Sequence, residues 1–403
     1  METGIETRRL RLGAALRQQD RVLPLELFFD LVFVLAITQC TALMSRHPTW
    51  TGLGEGMLIL ALLWWSWVAY AWLTSVIDPE EGGVRIALFA AMAGFLIAAI
   101  AVPEAFGSLA TEFAVAYGAV RLAQIALMLI AGRDDPSFRR SVAGLAVGTA
   151  IGIALLITGS FLDPGAQAAV WGLALVLDMG EPYLFGAEGW HLVPGHFAER
   201  HGLIVIIALG ESIVAIGLGA GSHLTWGIAA AATLGIGVAA AMWWAYFDIV
   251  ALVSARRLMR APEGKVRNEL ARDSYSYIHF LMVAGIILLA LGLKKGLGHP
   301  TDALDDVPAF ALVGGVGVYL LGLVAFRYRH IRTLNRQRFA MAVLMFALYP
   351  LALELSALVM IALLNLLLWS MIVYETRGYG EARAEVRHGD AAPGAEAFGD
   401  GGS

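Results

Sequence analysis

Two carboxylates, Glu26 and Asp30, stand four residues apart at the entrance of a long apolar stretch, Glu26-Leu-Phe28-Phe29-Asp30-Leu-Val-Phe33-Val-Leu-Ala-Ile-Thr38-Gln39. On a helix this spacing puts both on one face, about 6 Å apart along the axis. A carboxylate inside hydrocarbon is costly unless it is paired, neutral or facing water. The pair therefore marks either a path for a proton or cation, or a buried ionic contact. A second stretch has the same form: Glu199-Arg200-His201-Gly202-Leu-Ile-Val-Ile-Ile-Ala-Leu-Gly210-Glu211-Ser212. Setting Glu26 on Glu199 places Thr38 and Gln39 against Glu211 and Ser212.

Further ionisable residues interrupt other apolar runs. Glu211 lies about 15 Å into its run by helix rise, near mid-membrane, and Arg121 reaches a similar depth from the other side. Equal depth predicts that the two meet. The contact would serve either as a structural lock or as an exchangeable carboxylate tuned by a guanidinium. Asp30, Asp248 and His279 share a shallower level with Asp178 and Glu181, and could line a vestibule or hydrogen-bond locally. Glu26, Asp30, Gln39, Arg121, Glu211, Asp248 and His279 are thus the candidates for an ion or solute pathway.

The stretch from Glu188 to His201 gathers His191, His196 and His201 with two Glu, a composition able to ligate zinc. It lacks the His-Glu-x-x-His spacing of a metalloprotease, and a helix entrance explains it more simply. No nucleophilic triad, Walker loop or dinucleotide fingerprint appears. The sequence therefore predicts neither an enzyme nor a cofactor, and no nucleic-acid partner.

The frame that must position these residues is a membrane. The chain has 403 residues, 59% hydrophobic and 15% charged, with a mean hydropathy of +0.70. A soluble domain is nearer a quarter charged. A single cysteine, Cys40, excludes an intrachain disulfide. Apolar runs predict twelve spans, at 25–45, 53–77, 84–105, 110–131, 141–161, 167–184, 201–220, 225–252, 275–293, 308–327, 339–352 and 354–374. The last two form one run, divided near Tyr349-Pro350 and Glu354. With the amino terminus inside, 24 of the 28 Lys and Arg fall on cytoplasmic segments and 3 on outer loops, the positive-inside pattern. Both termini are expected in the cytoplasm, and membrane lipid is an expected partner.

Weak matches six spans apart suggest two parallel halves. Trp64-Trp65-Ser-Trp67 matches Trp243-Trp244-Ala-Tyr246, and Met92-Ala93-Gly94 matches Val283-Ala284-Gly285. The expected division is a cytoplasmic segment 1–24, a first half 25–184, a connecting loop 185–200, a second half 201–375 and a disordered tail 376–403. Gly144, Gly148 and Gly152 form a small-residue stripe for close helix contact.

The opening Pro24-Leu-Glu26-Leu-Phe-Phe29-Asp30 resembles the signature of the bacterial low temperature requirement A family. So do His196-Phe-Ala-Glu199-Arg200-His201-Gly202, Ala208-Leu-Gly210-Glu211-Ser212 and Trp243-Trp244-Ala-Tyr246-Phe247-Asp248. His201 departs from the pattern, where an aromatic such as Phe is expected. The resemblance implies a polytopic bacterial membrane protein and does not by itself imply a biochemical activity. The reading from the residues is an all-α integral membrane protein that moves a small solute or cation. The alternative is a non-transporting protein that supports envelope physiology or partner assembly at low temperature.

Overall fold

A computed structural model describes residues 21–80, 82–184, 190–221 and 224–378. Most of the expected amino-terminal segment and tail, part of the connecting loop and Glu188 lie outside the described residues. The fold is all-α. The helices are α1 (Pro24–Arg46), α2 (Trp50–Val76), α3 (Gly82–Ala101), α4 (Ala110–Ala131), α5 (Pro136–Gly159), α6 (Pro164–Leu184) and α7 (Pro194–Ala220). There follow α8 (Trp226–Phe247), α9 (Val250–Arg260), α10 (Lys265–Ala271), a π-helical segment (Arg272–Ile278), α11 (His279–Gly298), α12 (Asp306–Ile331), α13 (Arg336–Ala347), α14 (Tyr349–Ala352) and α15 (Ala357–Gly378).

Ten helical segments among the described residues are long and apolar enough to cross a membrane. Two further expected spans are also helical. One is α6, which carries Asp178 and Glu181. The other, 339–352, is divided between α13 and α14, and the chain turns before α15 near the expected Tyr349-Pro350 and Glu354. The basic stretch 256–272, expected as a loop, is mostly helix. Val250 and Leu258 of α9 are buried there, and Arg257 and Arg260 lie in its last turn.

Local chemistry sets the ends of these helices. Pro24, Pro136, Pro164 and Pro194 open α1, α5, α6 and α7, where the missing N–H costs nothing. Asp135 caps α5 by accepting from the backbone N–H groups of Ser137 (2.9 Å) and Phe138 (3.1 Å). Thr49, Thr225 and Asn335 cap α2, α8 and α13 in the same way.

Large apolar side chains, among them Ile86, Ile100, Val147, Val176 and Leu366, face outward. A surface of this kind needs lipid rather than water. Inside, α2, α11 and α12 are the most enclosed spans. The α11–α12 seam is closed by glycine: a Cβ on Gly285 would lie 2.5 Å from the Tyr319 backbone nitrogen, and one on Gly315 would lie 2.5 Å from that of Leu289. The Gly148 and Gly152 stripe faces α6, where Gly148 leaves room for the Glu181 side chain.

Candidate functional site

The entrance carboxylates of α1 are buried and converge on α7. Glu26, in the first turn, accepts the Leu23 backbone N–H at 2.9 Å through Oε2 and so holds its own helix start. Its other oxygen lies 2.8 Å from His196 Nε2 and 3.3 Å from Arg200 Nη1. One turn deeper, Asp30 Oδ1 accepts from Trp67 Nε1 at 2.7 Å and from Arg200 Nη2 at 3.1 Å. His196 and Arg200 are themselves four apart. Two i, i+4 pairs on α1 and α7 therefore interlock as a ladder, which neither helix could form alone.

Arg200 is fully buried. It also donates to the Thr74 hydroxyl and the Tyr70 carbonyl of α2, and it lies 5.5 Å from the Trp67 ring centroid and 5.7 Å from that of Phe29. Aromatic faces and a carboxylate together compensate a guanidinium removed from water. Asp30 Oδ2 and Arg200 Nε are buried without a hydrogen-bond partner. A carboxylate oxygen left open in such a site is a position for a proton or cation.

Arg121 and Glu211 do not meet, contrary to the depth argument. Arg121 of α4 donates through Nη2 to both carboxylate oxygens of Asp178 of α6, at 2.8 Å and 3.0 Å, and to the Thr149 hydroxyl of α5 at 3.0 Å. Glu211 of α7 instead accepts from Thr38 of α1 at 2.5 Å. Depth fixes one coordinate only; which helices are neighbours decided the pairing. Gln39, next to Thr38, is half-buried. Asp248 caps the carboxyl end of α8. His279 lies 2.9 Å from the Tyr246 hydroxyl and 3.2 Å from the Ser274 carbonyl, in an aromatic cluster with Tyr275 and Phe326 that His201 joins to Trp67.

The three histidines of the α7 entrance part company. His191 lies 3.2 Å from Asp135, His196 is held by Glu26, and His201 Nδ1 lies 2.8 Å from the Phe197 carbonyl. No group of three metal-ligating side chains gathers among the described residues. His201 is surrounded by rings, with centroids at 4.4 Å for Phe197, 5.1 Å for Trp67 and 5.3 Å for Tyr275. That explains why an aromatic is the expected residue there and why an imidazole fits.

Sequence reasoning missed Arg200, His196, Thr74 and Trp67 as parts of one site, because Arg200 reads as a loop charge in a topology count. The available signal was the matching four-residue spacing of Glu26 with Asp30 and of His196 with Arg200.

The family model described as bacterial low temperature requirement A protein matches residues 21–373. An uncharacterized protein of Rhizobium meliloti (strain 1021) is 33% identical over 308 residues, covering 74% of this chain and 75% of that protein. No solved structure matches. The match spans every residue of the ladder described above, and the chain belongs to the bacterial low temperature requirement A family of membrane proteins.

Proposed function

We propose that this chain is a secondary transporter or ion-translocating protein of the bacterial inner membrane, with Asp30 as the group that takes up and releases a proton or cation. The observation that carries this reading is the open Oδ2 of Asp30, fully buried beside Arg200. A scaffold gains nothing from a charged pair whose hydrogen bonds are incomplete, since an apolar pair of similar volume is often as stable or more so. A site that must bind and release an ion needs an acceptor left unfilled by protein.

The same reading takes the chain as twelve spans in two parallel halves, 25–184 and 201–375, with both termini cytoplasmic. Helix neighbours support it. α1 packs on α2 and α3, α3 on α4, and α4 on α5. In the second half α7 packs on α8 and α11, α11 on α12, and α12 on α13. Thr38 and Glu211, the positions matched by setting Glu26 on Glu199, touch each other. Contact between matched positions is expected near an axis along the membrane normal.

The test is proton, potassium and sodium flux in proteoliposomes under an imposed gradient. Flux above that of protein-free vesicles is expected. No flux of these ions, or of a panel of organic solutes, would leave the scaffolding reading in its place.

A further inference from the structure

A cavity of about 70 Å³ lies between α2, α4, α5, α6 and the π-helical segment, away from the Asp30 ladder. Trp65, Trp72, Trp190, Arg121, Gln124 and Glu181 are among the residues that line it. Three features of its wall are incomplete. Both carboxylate oxygens of Glu181 are buried with no hydrogen-bond partner, in a residue only 3% exposed. Arg121 Nε is buried and unpartnered too. Gln124 gives its amide donor to the Met128 thioether at 2.9 Å, a weak acceptor. A bare acceptor and under-used donors in one cavity call for a ligand that carries both functions.

We propose that this cavity binds a small zwitterion, an α-amino acid of the smallest size class. Its ammonium group meets Glu181 and the tryptophan rings, and its carboxylate accepts from Arg121 Nε and Gln124. Donor and acceptor groups on one wall favour a ligand that carries both functions. Arg121 is matched by Asp178, while Arg272 and Arg329 share Asp273. With Arg121 and Arg272 each already paired to an aspartate, the open groups of the wall are the Glu181 carboxyl as acceptor and Arg121 Nε with the Gln124 amide as donors, which a ligand carrying both an ammonium and a carboxylate answers together. Indole faces suit an ammonium. A volume of this order admits a few heavy atoms, since one water takes about 30 Å³. The wall includes Ser276 of the π-helical segment, which accepts from Trp72 Nε1 at 3.0 Å, and π-turns recur at functional sites. This inference does not rest on transport, because a site can bind a solute that the protein never moves.

Isothermal titration of the full chain in detergent with glycine, methylammonium chloride and sodium acetate tests it. Glycine is expected to bind saturably. Each half-ligand should bind at least roughly tenfold more weakly, the effect of losing one charge-assisted contact. Glu181→Gln, which keeps shape and removes the carboxyl, should weaken glycine by a similar factor. Ala69→Leu, which fills the cavity from α2 without touching a charge, should abolish binding and serves if Glu181→Gln does not fold. Absence of glycine binding overturns the proposal. So does methylammonium or acetate binding as tightly as glycine, or unchanged glycine affinity in either folded variant.

Discussion

Replacing Arg121 by Met removes a guanidinium buried to 1% exposure while keeping most of the side-chain volume. Asp178 then retains the Thr149 hydroxyl at 3.1 Å and loses both charged contacts. Glu181, already without partners, loses the nearest cation of its cavity wall. Breaking one side of a buried pair costs about 3–5 kcal/mol, because the other charge stays desolvated. The second substitution, Asp178→Asn, removes that charge, so the double variant should regain at least about 2 kcal/mol relative to the additive sum. Reversible unfolding in mixed detergent, followed by circular dichroism, measures all four corners of the cycle. A coupling below about 0.5 kcal/mol, the level found for independent sites, would refute the pairing of α4 with α6 through these two charges.

Gly285→Ala should destabilise by about 1–3 kcal/mol through overpacking against the α12 backbone, while Gly210→Ala, with open space around it, should be neutral or stabilising by up to about 1 kcal/mol; the same unfolding assay compares them. Hydrogen bonds from Ser137, with further help from the Phe138 N–H and His191, hold the Asp135 carboxyl well below the usual carboxylate range. Its contribution to capping α5 is therefore fully present above the unfolded value of about 3.9 and is lost only as pH falls through the lower folded value. The stability difference between wild type and Asp135→Ala should stay flat from neutral pH to about pH 5 and shrink only under stronger acid; a decline already near pH 6 would mean that Asp135 is not the group responsible. Reporter fusions after Ala105, Gly221 and Gly298 should report outside, and those after Arg133, Arg260 and Arg336 inside. One inversion in that series would break both the twelve-span count and the parallel halves.

The all-α frame of long apolar helices was legible because hydropathy acts along the chain. The run lengths matched ten long apolar helices and two further helical stretches, and Pro350 and Glu354 marked the break inside the final apolar stretch. Glu26 and Asp30 stood out because a carboxylate in an apolar run has to be explained. What the sequence did not carry is azimuth: which face of each helix meets which neighbour. Arg121 and Glu211 share a depth yet belong to different helix clusters, α4 with α5 and α6, and α7 with α1. Arg200 was hidden by its place next to a loop, although four residues separate it from His196 as four separate Glu26 from Asp30. Glu181 was visible as a shallow acid, but its two empty oxygens follow from the space left by Gly148, a property of packing.

Whether Asp30 exchanges an ion is tested most directly by the Asp30→Asn variant. The amide keeps the shape and an acceptor for Trp67 and removes the titratable charge, while Glu26, 3.3 Å from Arg200, remains as the anionic partner of that guanidinium, so folding should survive. Ion flux in proteoliposomes, measured for wild type and variant across a range of pH under the same gradient, is the deciding measurement. The variant is expected to insert and fold but to lose flux, or to lose the pH dependence of flux seen in wild type. Flux with unchanged rate and unchanged pH dependence in Asp30→Asn would contradict it.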